Sequence, residues 1–424
     1  MKNKILTDNK SKEIQRIDRA WIFTFFGTAI GAGILFLPVQ AGLSGIIVVV
    51  VCMIMAFTIT YFAQKYYSLI LVKTKNAHSY NGAITEYWGQ TASTIISILF
   101  SIQLIGSLLI YSTGLNTDIG EFMYVYKIFP SNVSGHPLCS FIILAVFTVL
   151  MILSEKLLIK FLGKITYVLI FLLIIVSILF IPFWRLDSAI LNVPLDFWVT
   201  FKNILLCFPL FMGAIVFYMT LSPMVMYYRK NYPEFTPEEH EKKVIKLNKN
   251  AIYLLSFFTA VFVISSALTL TPGGIEYALK NNISSLAVLG IGVNLTITLQ
   301  IIRFLSYLVI FFALTTSFYG VALGVIELLS NQIKFPANWD EIKKRRITAI
   351  GMMLLIWILT SFNINIISIM GYFSTPLNGF ILFIIPTMII FTCKRLRSYR
   401  KIFTVIILIV GLFTLVSFLI GSLM

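Results

Sequence analysis

Gly27-Thr28-Ala29-Ile30-Gly31-Ala32-Gly33 falls near the middle of an apolar run from about residue 20 to 42, and its reading decides the fold. The run is long enough to cross a hydrocarbon core of roughly 30 Å as a helix, yet its centre is glycine-rich, and glycine is costly inside a helix. Backbone released from a helix in lipid costs several kcal/mol, so a break there persists only when buried in protein or facing a wet cavity. The segment is therefore expected to unwind at mid-membrane. Gly27 and Gly31 also form a GxxxG pair, which alone signals only close helix packing.

Working outward, comparable runs recur over residues 45–71, 92–116, 139–154, 163–183, 203–226, 251–270, 297–329, 347–362, 376–392 and 402–422. With 58% hydrophobic and only 12% charged residues, the chain reads as an all-α membrane protein of about eleven transmembrane helices. The net charge of +16 raises the question of nucleic acid, and the placement of the basic residues answers it. With the N-terminus inside, only Lys127, Arg185, Lys202 and Lys280 fall in outer segments, which is the positive-inside bias and not a nucleic-acid footprint. The expected layout is a cytoplasmic tail over residues 1–19, a transporter core over 20–392, and a cytoplasmic loop with an eleventh helix over 393–424. Thr236-Pro237-Glu238-Glu239, an N-cap followed by Pro and acid, predicts a short surface helix within the loop before residue 250.

A second break is expected in the sixth span, at Tyr218-Met219-Thr220-Leu221-Ser222-Pro223, because Pro removes a backbone bond. Two breaks five helices apart suit two inverted five-helix repeats with a substrate held between the half-helices. A zwitterion there needs donors for its carboxylate and acceptors for its ammonium. The free N–H groups of Ala32 and Gly33 start the outer half of helix 1 and face the carboxylate with the positive end of its dipole. Tyr111 is a further donor. The carbonyls of Ala29, Met219 and Thr220 and the hydroxyls of Thr28 and Ser222 serve the ammonium. Side-chain selectivity is assigned to Phe217, Tyr218, Met219 and Thr220, with Gln103 or Ser107 and Phe318 or Tyr319; Arg303 is read as snorkelling outward.

Several stretches carry a family resemblance. Phe26 to Gly33 with Leu35-Phe36-Leu37-Pro38, Ile84-Thr85-Glu86 with Trp88-Gly89, Ser222-Pro223, Ser317-Phe318-Tyr319-Gly320 and Asn363-Ile364-Asn365-Ile366 together resemble bacterial hydroxy and aromatic amino-acid permeases, above all the serine/threonine branch. The resemblance implies eleven spans and the five-plus-five inverted-repeat fold of amino acid, polyamine and organocation transporters, with helices 1 and 6 broken. It implies an inner-membrane symporter of a small neutral amino acid, serine or threonine first; a proton-coupled permease for tryptophan or tyrosine is the alternative. Thr220-Leu221-Ser222 departs from that branch and looks more like the unwound sixth helix of sodium-coupled neurotransmitter-type symporters.

The coupling ion is expected to be sodium. In span 8 the Ala313 carbonyl stands one turn from the Thr316 and Ser317 hydroxyls; carbonyls of Gly27 and Ile30 complete five neutral oxygens, a set suited to a hard cation. The resemblance implies the same five positions. The opposing expectation is that Thr316 and Ser317 merely bond back to their own helix. No other cofactor is expected. No carboxylate, His or Cys cluster is found within the spans as read, Glu327 being the one acid near the membrane, and His78, His136 and His240 lie far apart. That leaves an enzyme without its parts, and a channel without a repeated pore motif.

Overall fold

The computed structural model describes residues 2–75, 79–133, 136–153, 155–288, 297–333, 335–336 and 338–424. The helices are α1 (Lys2–Ala29), α2 (Ala32–Ser44), α3 (Ile46–Val72), α4 (Tyr80–Trp88), α5 (Gln90–Val125), α6 (Pro137–Leu153), α7 (Glu155–Leu179), α8 (Phe197–Ala214), α9 (Tyr218–Asn231), α10 (Pro237–Thr269), α11 (Pro272–Asn281), α12 (Ile297–Gln332), α13 (Glu341–Thr360), α14 (Ile366–Thr392) and α15 (Ile402–Leu423). Among the described residues there is no strand.

Among the described residues eight helices, with α8 and α9 taken as one, are long and apolar enough to cross a membrane, and α1 with α2, bent by 51° at their junction, make a ninth. Of the other expected spans, α6 is apolar but short at 17 residues, and α13 begins Glu341-Ile342-Lys343-Lys344-Arg345-Arg346, so its apolar part is shorter than the helix. Gly45, at φ 88°, makes the one-residue turn between α2 and α3, a conformation that costs glycine little. The Thr236 cap forms as expected, with reciprocal bonds to Glu239, but the helix it opens is not a short surface piece: α10 continues unbroken to Thr269. Polar residues 12–19 likewise continue into α1.

Ion pairs gather on the face that carries the N-terminus. Asp18 of α1 accepts from Lys243 Nζ at 2.8 Å and from the Tyr228 hydroxyl, tying the start of α10 and the end of α9 to α1. Lys73 pairs with Glu241 at 2.7 Å, and that carboxylate holds the ammonium above its ordinary range. Glu86 of α4 meets Arg395 at 2.8 Å, and Arg229 covers the end of α3 by donating to the carbonyls of Val72 and Thr74. On the opposite face, α11 and the residues after it sit over α2: Ser285 donates to the Leu35 carbonyl through both its N–H (3.2 Å) and its hydroxyl (2.8 Å). Asn282, in left-handed backbone at φ 54°, donates to the Ile364 carbonyl and accepts from Ile366 N–H, locking the start of α14. The broken pairs α1/α2 and α8/α9 run through the interior, packed by α3, α5, α10, α12 and α14.

Candidate substrate and ion site

The first break comes where glycine density places it. Helix α1 ends at Ala29 and α2 begins at Ala32, with Gly31 extended between them. Three carbonyls freed there converge on one hydroxyl: Ser317 Oγ stands 2.9 Å from Ile30 O and 3.4 Å from both Gly27 O and Thr28 O. A hydroxyl has a single proton, so acceptors outnumber donors at this point. Beside it Thr316 Oγ1 is 3.1 Å from Ala313 O and 2.9 Å from Phe312 O. The two readings of this pair therefore divide between the residues: Thr316 bonds back to its own helix, while Ser317 reaches across to α1. Gly27, Ile30, Ala313, Thr316 and Ser317 are brought together as the spacing suggested.

The glycines also serve close packing. A Cβ on Gly31 would collide with Ser317 Oγ and stand 2.9 Å from Tyr111 Cε1; one on Gly33 would stand 2.9 Å from Ala214 Cα; one on Gly27, 2.6 Å from Thr166 Oγ1. Through Gly31 and Gly33 the break in α1/α2 meets α12, α5 and the last residue of α8 at van der Waals distance.

The second break lies one turn earlier than expected. Helix α8 stops at Ala214 and α9 starts at Tyr218, so the non-helical residues are 215–217, and Tyr218 to Pro223 are helical. Pro223 is tolerated because α9 begins only a turn above it; the missing N–H leaves the Met219 carbonyl without its helical donor. The gap is bridged by a side chain: Gln64 of α3, fully buried, accepts from Phe217 N–H at 3.0 Å and donates to Ile215 O at 3.5 Å. Gln64 replaces the missing turn, one donor and one acceptor for one of each.

Between the breaks lies a cavity of about 40 Å³, bordered by Ala29 and Gly33, by Val216 and Met219, by Gln103, Ser107 and Tyr111 of α5, and by Ser374 and Asn378 of α14. Ala29, Gly33, Tyr111, Met219, Gln103 and Ser107 thus meet as expected. Others do not. Thr28 donates to Thr24 O at 2.8 Å, and Ala32 is buried off the cavity. Thr220 and Ser222 line a separate vestibule of about 890 Å³, which reaches α4 on the N-terminal face and is divided from the cavity by Met219. Phe318 and Tyr319 pack on Phe147, Tyr319 donating to its carbonyl at 3.2 Å, and neither borders the cavity. Phe217 stacks on Phe25 at 4.7 Å.

Two further expectations are corrected. Arg303 does not snorkel outward; it is buried, within range of the Glu121 carboxylate. The membrane region is also not free of acid. Helix α5 runs on past residue 116 to Val125 and carries Asp118 and Glu121 into the interior. Asp118 Oδ1 accepts from Ser284 N–H at 3.0 Å while Oδ2 has no partner; Glu121 accepts from Asn132 at 2.8 Å and the Tyr277 hydroxyl at 3.2 Å. Glu327 lies outside the side chains described, as does His78. Among the described residues no group of three or more His, Cys, Asp or Glu could hold a metal. The residues missed from sequence are Gln64, Ser374 and Asn378; a Gln or Asn deep in an apolar span is the signal that finds them, since such groups are expensive in lipid unless used.

No family model matches the chain. Among curated proteins it is similar to the inner membrane transport protein YqeG of Escherichia coli strain K12, with 27% identity over 399 residues, 92% of this chain and 95% of that one. It is also similar to the serine transporter SdaC of the same strain, 26% identical over 407 residues, covering 94% of this chain and 93% of SdaC. A probable serine transporter of that strain is 26% identical over 409 residues, with 94% and 90% covered. All three relatives carry the name of a membrane transport protein or transporter. The likeness runs over nearly its whole length, and none of these relatives is named as an enzyme.

Proposed function

We propose that this protein is a secondary symporter that carries a small neutral amino acid, serine first, across the bacterial inner membrane by alternating access, with sodium as the coupling ion. Its scaffold is proposed to be eleven spans with a cytoplasmic N-terminus, α1–α7 and α8–α14 forming inverted five-span repeats. Each half opens with a broken helix and has a short surface helix, α4 or α11, after its second span, and these two helices lie on opposite faces. The observation that carries the reading is the cavity between the two breaks, where backbone donors and acceptors freed by unwinding sit together in a place closed to lipid. Relatives named serine transporters support the substrate class, and a cavity of about 40 Å³ suits a small side chain over an indole or phenol. The larger vestibule then gives an inward-facing shape, with the far face covered by α11 and the residues that follow it.

Sodium is favoured by the surplus of oxygens around Ser317. A cation placed among the carbonyls of Gly27, Ile30 and Ala313 and the two hydroxyls would supply the positive charge that one hydroxyl proton supplies only in part. Inward movement of one such ion at 100 mV contributes about 2.3 kcal/mol. By linkage, sodium tightens substrate binding by the factor by which substrate tightens sodium. Proton coupling is the second reading, and Asp118, a buried acid with one oxygen unpartnered, is what favours it. Uptake of labelled serine into proteoliposomes, driven separately by sodium and proton gradients, tests both. Sodium-driven accumulation with counterflow exchange is expected. Uptake that is unchanged with choline in place of sodium, and abolished in Asp118→Asn, would move the coupling to protons; absence of counterflow for every amino acid would end the carrier reading.

A further inference from the structure

Helix α14 is not a plain α-helix where it passes the cavity. Two π-helical turns, Ile369–Ser374 and Gly379–Ile384, flank the α-helical residues Thr375–Asn378. Such turns hold an extra residue in the ring and are frequent at functional sites. Here Ser374 and Asn378, one turn apart, both line the cavity, and Thr375 Oγ1 reaches back five residues to cover the Met370 carbonyl at 2.8 Å.

Asn378 is held from two sides. The Tyr218 hydroxyl of α9 and Gln103 Nε2 of α5 both donate to Asn378 Oδ1, each at 3.0 Å. An amide oxygen has two lone pairs, so these bonds use its accepting capacity and fix the amide with Nδ2 as its remaining group. Neither of these bonds engages Asn378 Nδ2. The same arrangement commits Gln103 through its nitrogen, and Gln103 Oε1 is buried with no partner; Ser374 Oγ is also buried without one. Buried polar groups are satisfied in the great majority of cases, so the open groups of Gln103 and Ser374, beside the Asn378 amide nitrogen that lines the same cavity, call for a polar occupant.

We infer that Gln103 and Asn378 form the subsite that reads the substrate hydroxyl, and that these two side chains are what separates serine from its deoxy analogue alanine. The inference rests on the transport reading above and adds the residues that choose the side chain. A serine hydroxyl donates to Gln103 Oε1 and accepts from Asn378 Nδ2, while its backbone groups face Ala29 and Gly33 across the cavity. Alanine fills nearly the same volume and leaves both partners open. A site built to bond a hydroxyl discriminates strongly against the analogue without it, whereas an apolar pocket hardly separates the two. Tyr218 is a positioning residue: its bond to Oδ1 sets which way the Asn378 amide faces.

Competition binding with labelled serine on the purified full chain in nanodiscs, against unlabelled serine and alanine, tests the subsite. Wild type is expected to prefer serine by on the order of 100-fold. Gln103→Met, which keeps length and removes both amide groups, should cut that preference below about tenfold, mainly by weakening serine. Should that variant fail to fold, Asn378→Asp keeps the acceptor for Tyr218 and Gln103, replaces only Nδ2, and is expected to lower the same ratio. Equal binding of serine and alanine by wild type overturns the subsite and leaves the transport reading standing. So does a full preference for serine retained in either folded variant. A wild-type protein that binds neither amino acid removes both readings together.

Discussion

The two helix breaks solve one physical problem in opposite ways. In α8/α9 the gap at 215–217 is bridged by Gln64, which gives one donor to Ile215 O and one acceptor to Phe217 N–H. In α1/α2 three carbonyls share the single proton of Ser317, and acceptors remain in excess. The α8/α9 break has a side chain that serves it; the α1/α2 break leaves acceptors in excess of donors, which is what favours a cation in the proposed coupling. Unwound backbone in a membrane is therefore not by itself a binding site, and what distinguishes the two cases is the donor count around the break.

Four substitutions bear on this contrast. The largest effect is expected from Gln64→Leu, which orphans a buried N–H and a buried carbonyl and should cost about 2 to 6 kcal/mol of stability. Thermal unfolding in detergent reads the loss, and any sodium response of the folded fraction should persist. A melting temperature equal to wild type would show that water replaces the amide and that the joint is not closed by Gln64. Next, Gly33→Val should drive a side chain into the Ala214 backbone, 2.9 Å from the Cβ position, and weaken serine binding about 5- to 150-fold. Equilibrium binding on correctly inserted protein checks it, and unaltered affinity would detach the cavity from the break.

Ser317→Ala sharpens the comparison from the other side. It removes the one donor that the freed carbonyls share, and is expected to abolish the increase in serine affinity with sodium, a coupling of about 1 to 3 kcal/mol, with a smaller change in melting temperature than Gln64→Leu. A titration of serine binding at low and high sodium is the measurement; a variant that keeps the full sodium effect would place the ion elsewhere. The smallest effect belongs to Ser222→Ala. Its hydroxyl lines the vestibule and not the cavity, so affinity should stay within about twofold, a change under 0.5 kcal/mol. A tenfold loss in the same assay would bring the α9 hydroxyl into the site.

The first break was legible in sequence because its cause is local: the glycines of 27–33 speak for themselves. The second is expected one turn too late because Pro223 points to the break, whereas a proline near a helix start is accommodated and the gap after Ala214 is served by Gln64 from another helix. The same limit hid Asn378. Its role comes from π turns and from bonds to Tyr218 and Gln103, distant in sequence, and no periodicity encodes them. The nearness of Gly27, Ile30, Ala313, Thr316 and Ser317 is legible because each helix brings its own members together by short spacing, with only the docking of α12 against α1 left to supply. Asp118 and Glu121 were passed over because the apolar window ends near residue 116 while the helix does not.

The paired bonds from Ser285 to the Leu35 carbonyl have a kinetic side. They fasten a loop on the far face to the half-helix whose first turn borders the cavity, so that half-helix cannot tilt outward without carrying the loop or breaking both bonds together. Shared fastening of this kind makes opening all-or-none, because the first bond broken brings little freedom while the second holds. Under the proposed alternating access, Ser285→Ala, with one bond in place of two, is expected to speed turnover in a proteoliposome uptake assay.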